Sequence, residues 1–230
     1  MVELISGLRS EVVRANLARV QADIAAASER ARQLRPADDR HDVQVLAAVK
    51  YVPTAELPVL ADAGVRLVGE NRAQDLQEKV AAHGELFEWD FIGQLQSRRV
   101  RLIVPHVRLI HSLASESALR ELERHLALAR PGLRVLLEVN VAGEHGKAGI
   151  APHEIGAFIA RSPVPVAGLM TMPPLSPDPE DSRRWFAALR ELAHEHHLEQ
   201  LSMGTSQDYD VAVEEGATIV RIGTSLYHRA

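Results

Sequence analysis

The run Val43-Gln44-Val45-Leu46-Ala47-Ala48-Val49, closed by Lys50, decides how the rest of the chain is read. A stretch this apolar reads as a strand covered on both faces, the pattern of a parallel sheet packed between other elements. Upstream, apolar residues recur at helical spacing from Val12 to Leu34 and predict an amphipathic helix that ends near Arg35-Pro36. Downstream come seven further short apolar runs: Leu67–Gly69, Trp89–Ile92, Leu109–Leu113, Arg134–Asn140, Val166–Met170, Gln200–Met203 and Thr218–Ile222. Helix-patterned stretches separate them, at Thr54–Ala63, Ala73–His83, Ser97–Ile103, Ser115–Ala129, Pro152–Ala160, Asp178–His196 and Asp208–Glu215. Thr54, Ser115 and Asp208 carry the short side-chain oxygens that cap first-turn amides. This alternation predicts one domain over residues 1–230, a (β/α)₈ barrel of the TIM type preceded by the N-terminal helix. A doubly wound open sheet is the alternative.

Composition narrows the function classes. With 230 residues, 46% hydrophobic and 25% charged, the chain can bury a large core. Its net charge of -5 comes from intermixed charges, so no basic field exists to gather nucleic acid or anionic lipid. The absence of cysteine excludes disulfides and thiolate chemistry. The opening MVELISGLRSEVVRANLARV carries Glu3 and Glu11 without an apolar signal-type core, and no run is long enough to span a membrane. A cytoplasmic location is expected. His194, His196 and His197 close a charged helix and read as its solvated last turn, so no metal is expected there.

In such a barrel, chemistry belongs where the strands end, because the loops after them converge on one mouth. Lys50 ends the first strand. Burial there would lower its pKa and free the amine for imine chemistry, although on the residues alone a strand-end lysine reaching solvent is the favoured reading. Met203-Gly204-Thr205-Ser206 and Arg221-Ile222-Gly223-Thr224-Ser225 are glycine- and hydroxyl-bearing turns after strands seven and eight, where barrels commonly hold a phosphate; both are also ordinary turn compositions. Arg221 interrupts an apolar run and must find an acceptor, either a carboxylate such as Glu138 or a ligand's ring nitrogen. Pro173-Pro174-Leu175-Ser176-Pro177-Asp178-Pro179 predicts a stiff extended loop over the mouth.

Several segments then match, in order, one known family: Ala47-Ala48-Val49-Lys50, Gly69-Glu70-Asn71, Phe91-Ile92-Gly93-Gln94-Leu95-Gln96, Asn140 to Gly149, Gly168-Leu169-Met170, Leu201-Ser202-Met203-Gly204, Ser206 with Asp208, and Val220-Arg221-Ile222-Gly223-Thr224. Over about Val43 to Tyr227 the chain resembles the pyridoxal 5'-phosphate (PLP) homeostasis proteins, the YggS/PROSC-like group, whose fold is similar to the N-terminal barrel of alanine racemase. The resemblance implies that Lys50 forms an imine with PLP and that Ser206, Gly223 and Thr224 bind its phosphate. It implies Arg221 beside the pyridine nitrogen, with Asn71 and Met203 near the ring. It also implies a PLP carrier or regulator in vitamin B6 homeostasis, with no established turnover and with PLP-dependent apoenzymes as recipients. A monomer is expected.

The chain departs from the family pattern in four places. Val49 stands where Ser or Thr usually precedes the lysine, and Thr205 where Met is usual; both are expected to touch the pocket. Trp89-Asp90-Phe91 replaces the frequent Trp-His-Phe, and the tail ends His228-Arg229-Ala230; both are expected to be peripheral. The rival function is a PLP-dependent amino-acid racemase. That reaction needs a second proton-transfer group opposite the lysine. Alanine racemases take it from a tyrosine of another domain, and Tyr51, Tyr209 and Tyr227 have no family warrant for the role. A barrel enzyme acting on another phosphate ester is the third class.

Overall fold

The computed structural model describes residues 4–34 and 42–227. Arg35-Pro36 and the tail His228–Ala230 lie outside the described residues. The chain opens with α1 (Ser10–Leu34) and continues β1 (Gln44–Ala48), α2 (Leu57–Asp62), β2 (Leu67–Glu70), α3 (Ala73–His83) and β3 (Glu88–Phe91). Then follow α4 (Val100–Ile103), β4 (Leu109–Leu113), α5 (Glu116–Arg124), β5 (Arg134–Glu138), α6 (Ile155–Arg161) and β6 (Val166–Met170). It finishes with α7 (Arg183–Glu195), β7 (Gln200–Thr205), α8 (Tyr209–Glu214), β8 (Ile219–Ile222) and α9 (Thr224–Tyr227).

Every strand pairs in parallel with the next, and β8 returns to β1 with Leu46 opposite Arg221 and Ala47 opposite Ile222. That last pairing closes the barrel and excludes the open sheet. Side chains alternate between two cores, as the period of a strand requires. Leu46, Leu109, Leu136, Met170 and Ile219 fill the interior. Ala47, Val49, Leu60, Leu76, Trp89, Phe186 and Met203 belong to the larger layer between sheet and helices. Each fully buried leucine is worth about 1.5–3 kcal/mol, so this shell carries much of the fold.

Boundaries shifted where local chemistry outweighed apolar patterning. β5 stops at Glu138 rather than Asn140, with Val139 making only an isolated bridge to Ile150 across the returning loop. β7 runs on to Thr205, and α9 occupies a segment expected to be a turn. Of the three expected caps, Ser115 accepts from the Ala118 amide at 3.2 Å. Pro53 takes the capping position in place of Thr54, whose hydroxyl donates to Glu78. Asp208 precedes α8 but does not cap it, because its carboxylate turns back to the Thr205 amide (2.8 Å) and hydroxyl (3.0 Å). Among the described residues no helix is long and apolar enough to cross a membrane.

Candidate functional site

Lys50 lies two residues past β1, half-buried in a turn, with its ammonium 4.8 Å from the centre of the Tyr51 ring. The strand leading to it is pinned from behind. Lys79 on α3 donates to the Val49 carbonyl (2.7 Å) and to Glu70 Oε2 (2.5 Å), with both side chains nearly or fully buried. Glu70 Oε1 accepts from the amides of Asn71 (2.6 Å) and Arg72 (3.2 Å). Tyr227 donates its hydroxyl to the Ala48 carbonyl at 3.0 Å; burial and the nearby Glu70 charge hold that phenol well above its ordinary value. Lys50 and Asn71 therefore hang from one buried ion pair that the sequence reading did not single out.

Neighbouring loops pack closely against this pair. A side chain at Gly93 would put its Cβ 2.1 Å from the Asn71 carbonyl oxygen, so only glycine lets the two loops touch. Ser112 donates to the Gly93 carbonyl from β4. Gly204 has φ +88° and would press a Cβ to 2.6 Å from Ala212, so it turns β7 toward the mouth as no other residue can. Beyond it the Ser206 hydroxyl accepts from the Gly223 amide at 3.2 Å, bringing the two expected phosphate turns together, with Thr224 next along and exposed.

Arg221 points from β8 into the interior. Nη1 donates to the Ser202 carbonyl (2.7 Å) and hydroxyl (2.6 Å), and Nη2 to the Thr171 carbonyl (3.0 Å) and Met172 sulfur (2.8 Å). Nε has no acceptor among the described residues. No carboxylate bonds the guanidinium either, so the ion pair considered with Glu138 is replaced by neutral acceptors. Burial pushes Arg221 down to about 10, partly offset by the charges of Asp208 and Glu138. Glu138 is raised, by burial first, against the opposing pull of Arg221 and Lys147.

Of the remaining expected residues, Asn71 carries a buried side-chain oxygen without a hydrogen-bond partner. Met203 is fully buried in the barrel-helix layer, apart from the interior groups around Arg221. Val49 packs in the same layer, so the departure there does not put its side chain in the mouth. Thr205 spends its amide and hydroxyl on Asp208, which also accepts from Ser182 at 3.0 Å. Asn140 closes the loop after β5 on itself, donating to the Glu144 carbonyl and accepting from its amide. Asp90 is not peripheral: it is fully buried inside the barrel, bonded to His111 and Arg108.

A PLP-type ligand fits what is present. A primary amine, an orphan acceptor at Asn71, a buried cation with an uncommitted N–H, and paired phosphate-type turns share the strand-end side of the barrel.

The family described as alanine racemase, N-terminal domain, matches residues 12–229. A pyridoxal phosphate homeostasis protein of Aquifex aeolicus is 42% identical over 195 residues, 80% of this chain and 86% of that protein. A protein of unknown function from Bifidobacterium adolescentis superposes with TM-score 0.83 at 30% identity, covering 98% of each chain. PipY of Synechococcus elongatus, in a structure with PLP bound, superposes with TM-score 0.71 at 32% identity, covering 88% of this chain and 100% of that one. The chain belongs to the alanine racemase N-terminal domain family and, within it, to the pyridoxal phosphate homeostasis proteins.

Proposed function

We propose that this protein is a single barrel, residues 1–230, that holds PLP as an imine on Lys50 and serves intracellular PLP homeostasis as a monomer. It releases the cofactor to PLP-dependent apoenzymes without turning over a substrate. The observation that carries this reading is Arg221, a buried cation bonded only to neutral acceptors, with its Nε–H uncommitted in the barrel that also presents Lys50. The PLP-bound PipY structure and the names of the curated relatives support it.

PLP supplies an aldehyde that a primary amine captures, together with an anionic phosphate. Lys50 would be the anchoring amine, Ser206 and Thr224 would offer their hydroxyls to the phosphate oxygens, and the Gly223 amide, which donates to Ser206 here, would turn to them when the phosphate binds. Asn71, with its unpartnered side-chain oxygen, would meet the ring region, and Met203, packed between sheet and helices, would support it from behind. Arg221 remains protonated near neutral pH and can only donate, so with its Nε–H turned to a pyridine nitrogen it would leave that nitrogen without a proton. The ring is then a weak electron sink, which favours holding over carbanion chemistry.

The racemase alternative needs a second proton-transfer group. The Tyr209 hydroxyl donates to Asp23 and that of Tyr227 to the Ala48 carbonyl, which leaves Tyr51, stacked beside Lys50 itself. Incubation with PLP should produce an imine absorption band and one borohydride-stable adduct, mapping to Lys50 and lost in Lys50→Ala. An adduct elsewhere refutes the anchor. Sustained racemisation of an amino acid, abolished in Lys50→Ala, refutes the carrier.

A further inference from the structure

We propose that Asp90, His111 and Ser202 are positioning residues that fix the Arg221 guanidinium for its partner in the mouth. The inference rests on the PLP-holding reading above.

These three residues sit inside the barrel, essentially without exposure, on β3, β4 and β7. His111 Nδ1 lies 2.8 Å from Ser202 Oγ, and His111 Nε2 lies 3.0 Å from Asp90 Oδ2. Arg108 donates to the same Asp90 oxygen at 3.1 Å, and its Nε approaches Oδ1 at 3.0 Å, off the line of a hydrogen bond. Arg108 also donates to Gln44 at the entry of β1 (2.9 Å). A chain of polar contacts thus crosses the interior from the N-terminal edge of β1 to Arg221.

Donors and acceptors orient that chain in one direction. Arg221 can only donate, so Ser202 Oγ must accept from Nη1. The serine hydroxyl proton is then free for His111 Nδ1, which makes Nδ1 an acceptor and places the ring proton on Nε2. The Asp90 carboxylate accepts a hydrogen bond from that Nε2–H. Burial and the charges of Arg221 and Arg108 keep His111 neutral against the pull of Asp90, as this tautomer requires. The relay turns a rotatable hydroxyl into an obligate acceptor facing Nη1. With Nη1 and Nη2 both held, Nε is the group left to the ligand. Leu46, Leu109, Leu136, Met170 and Ile219 fill the space around it with apolar side chains, so a chain of polar groups there is maintained against its desolvation cost.

The test compares PLP titrations and imine absorption across pH for the wild-type protein, Ser202→Ala, His111→Gln, Asp90→Asn, Arg221→Gln and the double variant Ser202→Ala/Arg221→Gln. Ser202→Ala should still give a borohydride adduct at Lys50. It should bind PLP about tenfold more weakly, the size of one hydrogen bond to a charged group. Its band should shift in the same direction as in Arg221→Gln, and Ser202→Thr should restore it. The double variant should match Arg221→Gln alone, because the relay acts only through Arg221. Should Asp90→Asn fail to fold, with Arg108 left unpaired, Ser202→Ala and His111→Gln carry the comparison. A Ser202→Ala protein with wild-type affinity and spectrum, beside an Arg221→Gln protein that differs, overturns the relay and leaves PLP binding intact. Additive losses in the double variant also overturn it. Absence of any Lys50 adduct in the wild-type protein overturns the underlying reading, and the relay's role falls with it.

Discussion

Replacing Lys79 with methionine keeps most of the side chain's length and apolar volume and removes one charge. The Lys79 side chain is 6% exposed and that of Glu70 not at all, so the substitution leaves a carboxylate in the interior without its counter-charge. Breaking a buried pair from one side costs about 3–5 kcal/mol. Glu70 keeps the amides of Asn71 and Arg72 as donors, which places the expected loss near the lower end, about 3 kcal/mol. With a urea dependence of about 2–3 kcal/mol per molar, the unfolding midpoint should fall by about 1–1.5 M. Glu70→Gln in the same background should recover part of the loss, because an amide in that site needs no counter-charge. The Val49 carbonyl also loses one of its two donors, keeping only the Val52 amide, so the yield of borohydride adduct at Lys50 should drop at fixed PLP concentration even where the protein is folded. A midpoint within about 0.2 M of wild type, with undiminished trapping at Lys50, would refute the view that this ion pair supports the lysine.

Two further outcomes follow from the same geometry. Gly204→Ala forces a Cβ to 2.6 Å from Ala212 at φ +88° and should cost about 1–3 kcal/mol, read as a lower thermal midpoint together with weaker PLP binding through the displaced Ser206 turn; a neutral substitution would contradict the strain. His111 is depressed below its ordinary value of 6.5, by burial first, with Arg221 and Arg108 adding to that and Asp90 opposing it. The unfolded chain therefore binds a proton at this residue that the folded chain resists, and the stability this confers is complete above pH 6.5 and lost as the pH falls below it. His111→Gln should accordingly show a shallower stability decline than wild type from pH 6.5 downward in chemical denaturation, and identical slopes would refute the buried neutral imidazole.

The fold was largely legible because its signals are local. Apolar runs such as Val45–Val49 and Leu109–Leu113 need cover on both faces wherever they end up, and their alternation with helical segments leaves few architectures. The expected cap at Asp208 was lost because its carboxylate bonds Thr205 three residues back and Ser182 from a distant segment. The segments carrying Lys50, Asn71, Ser206, Arg221, Gly223 and Thr224 were legible as an ordered set of motifs. The contacts of Lys79, Asp90, His111 and Ser202 were not legible, although Ser202 stands in a quoted motif and a trace existed: a polar residue at inward parity within an apolar strand, as in Leu109-Ile110-His111-Ser112-Leu113, is costly unless something inside the barrel answers it.

The sequence by itself determined that strands and helices alternate, that a lysine stands at the end of the first strand, and that two glycine- and hydroxyl-bearing turns follow the last two, since each depends only on residue type and spacing along the chain. Only the tertiary structure decided whether Arg221 would meet a carboxylate or neutral acceptors, that Asp90 belongs inside the barrel rather than at its edge, and that Lys79 stands behind Lys50. Lys79 meets Glu70 within one strand–helix unit, and Asp90 meets His111 on the neighbouring strand, but His111 on β4 reaches Ser202 on β7 only across the barrel interior, and closure, with the stagger it imposes, decides which side chains share that interior.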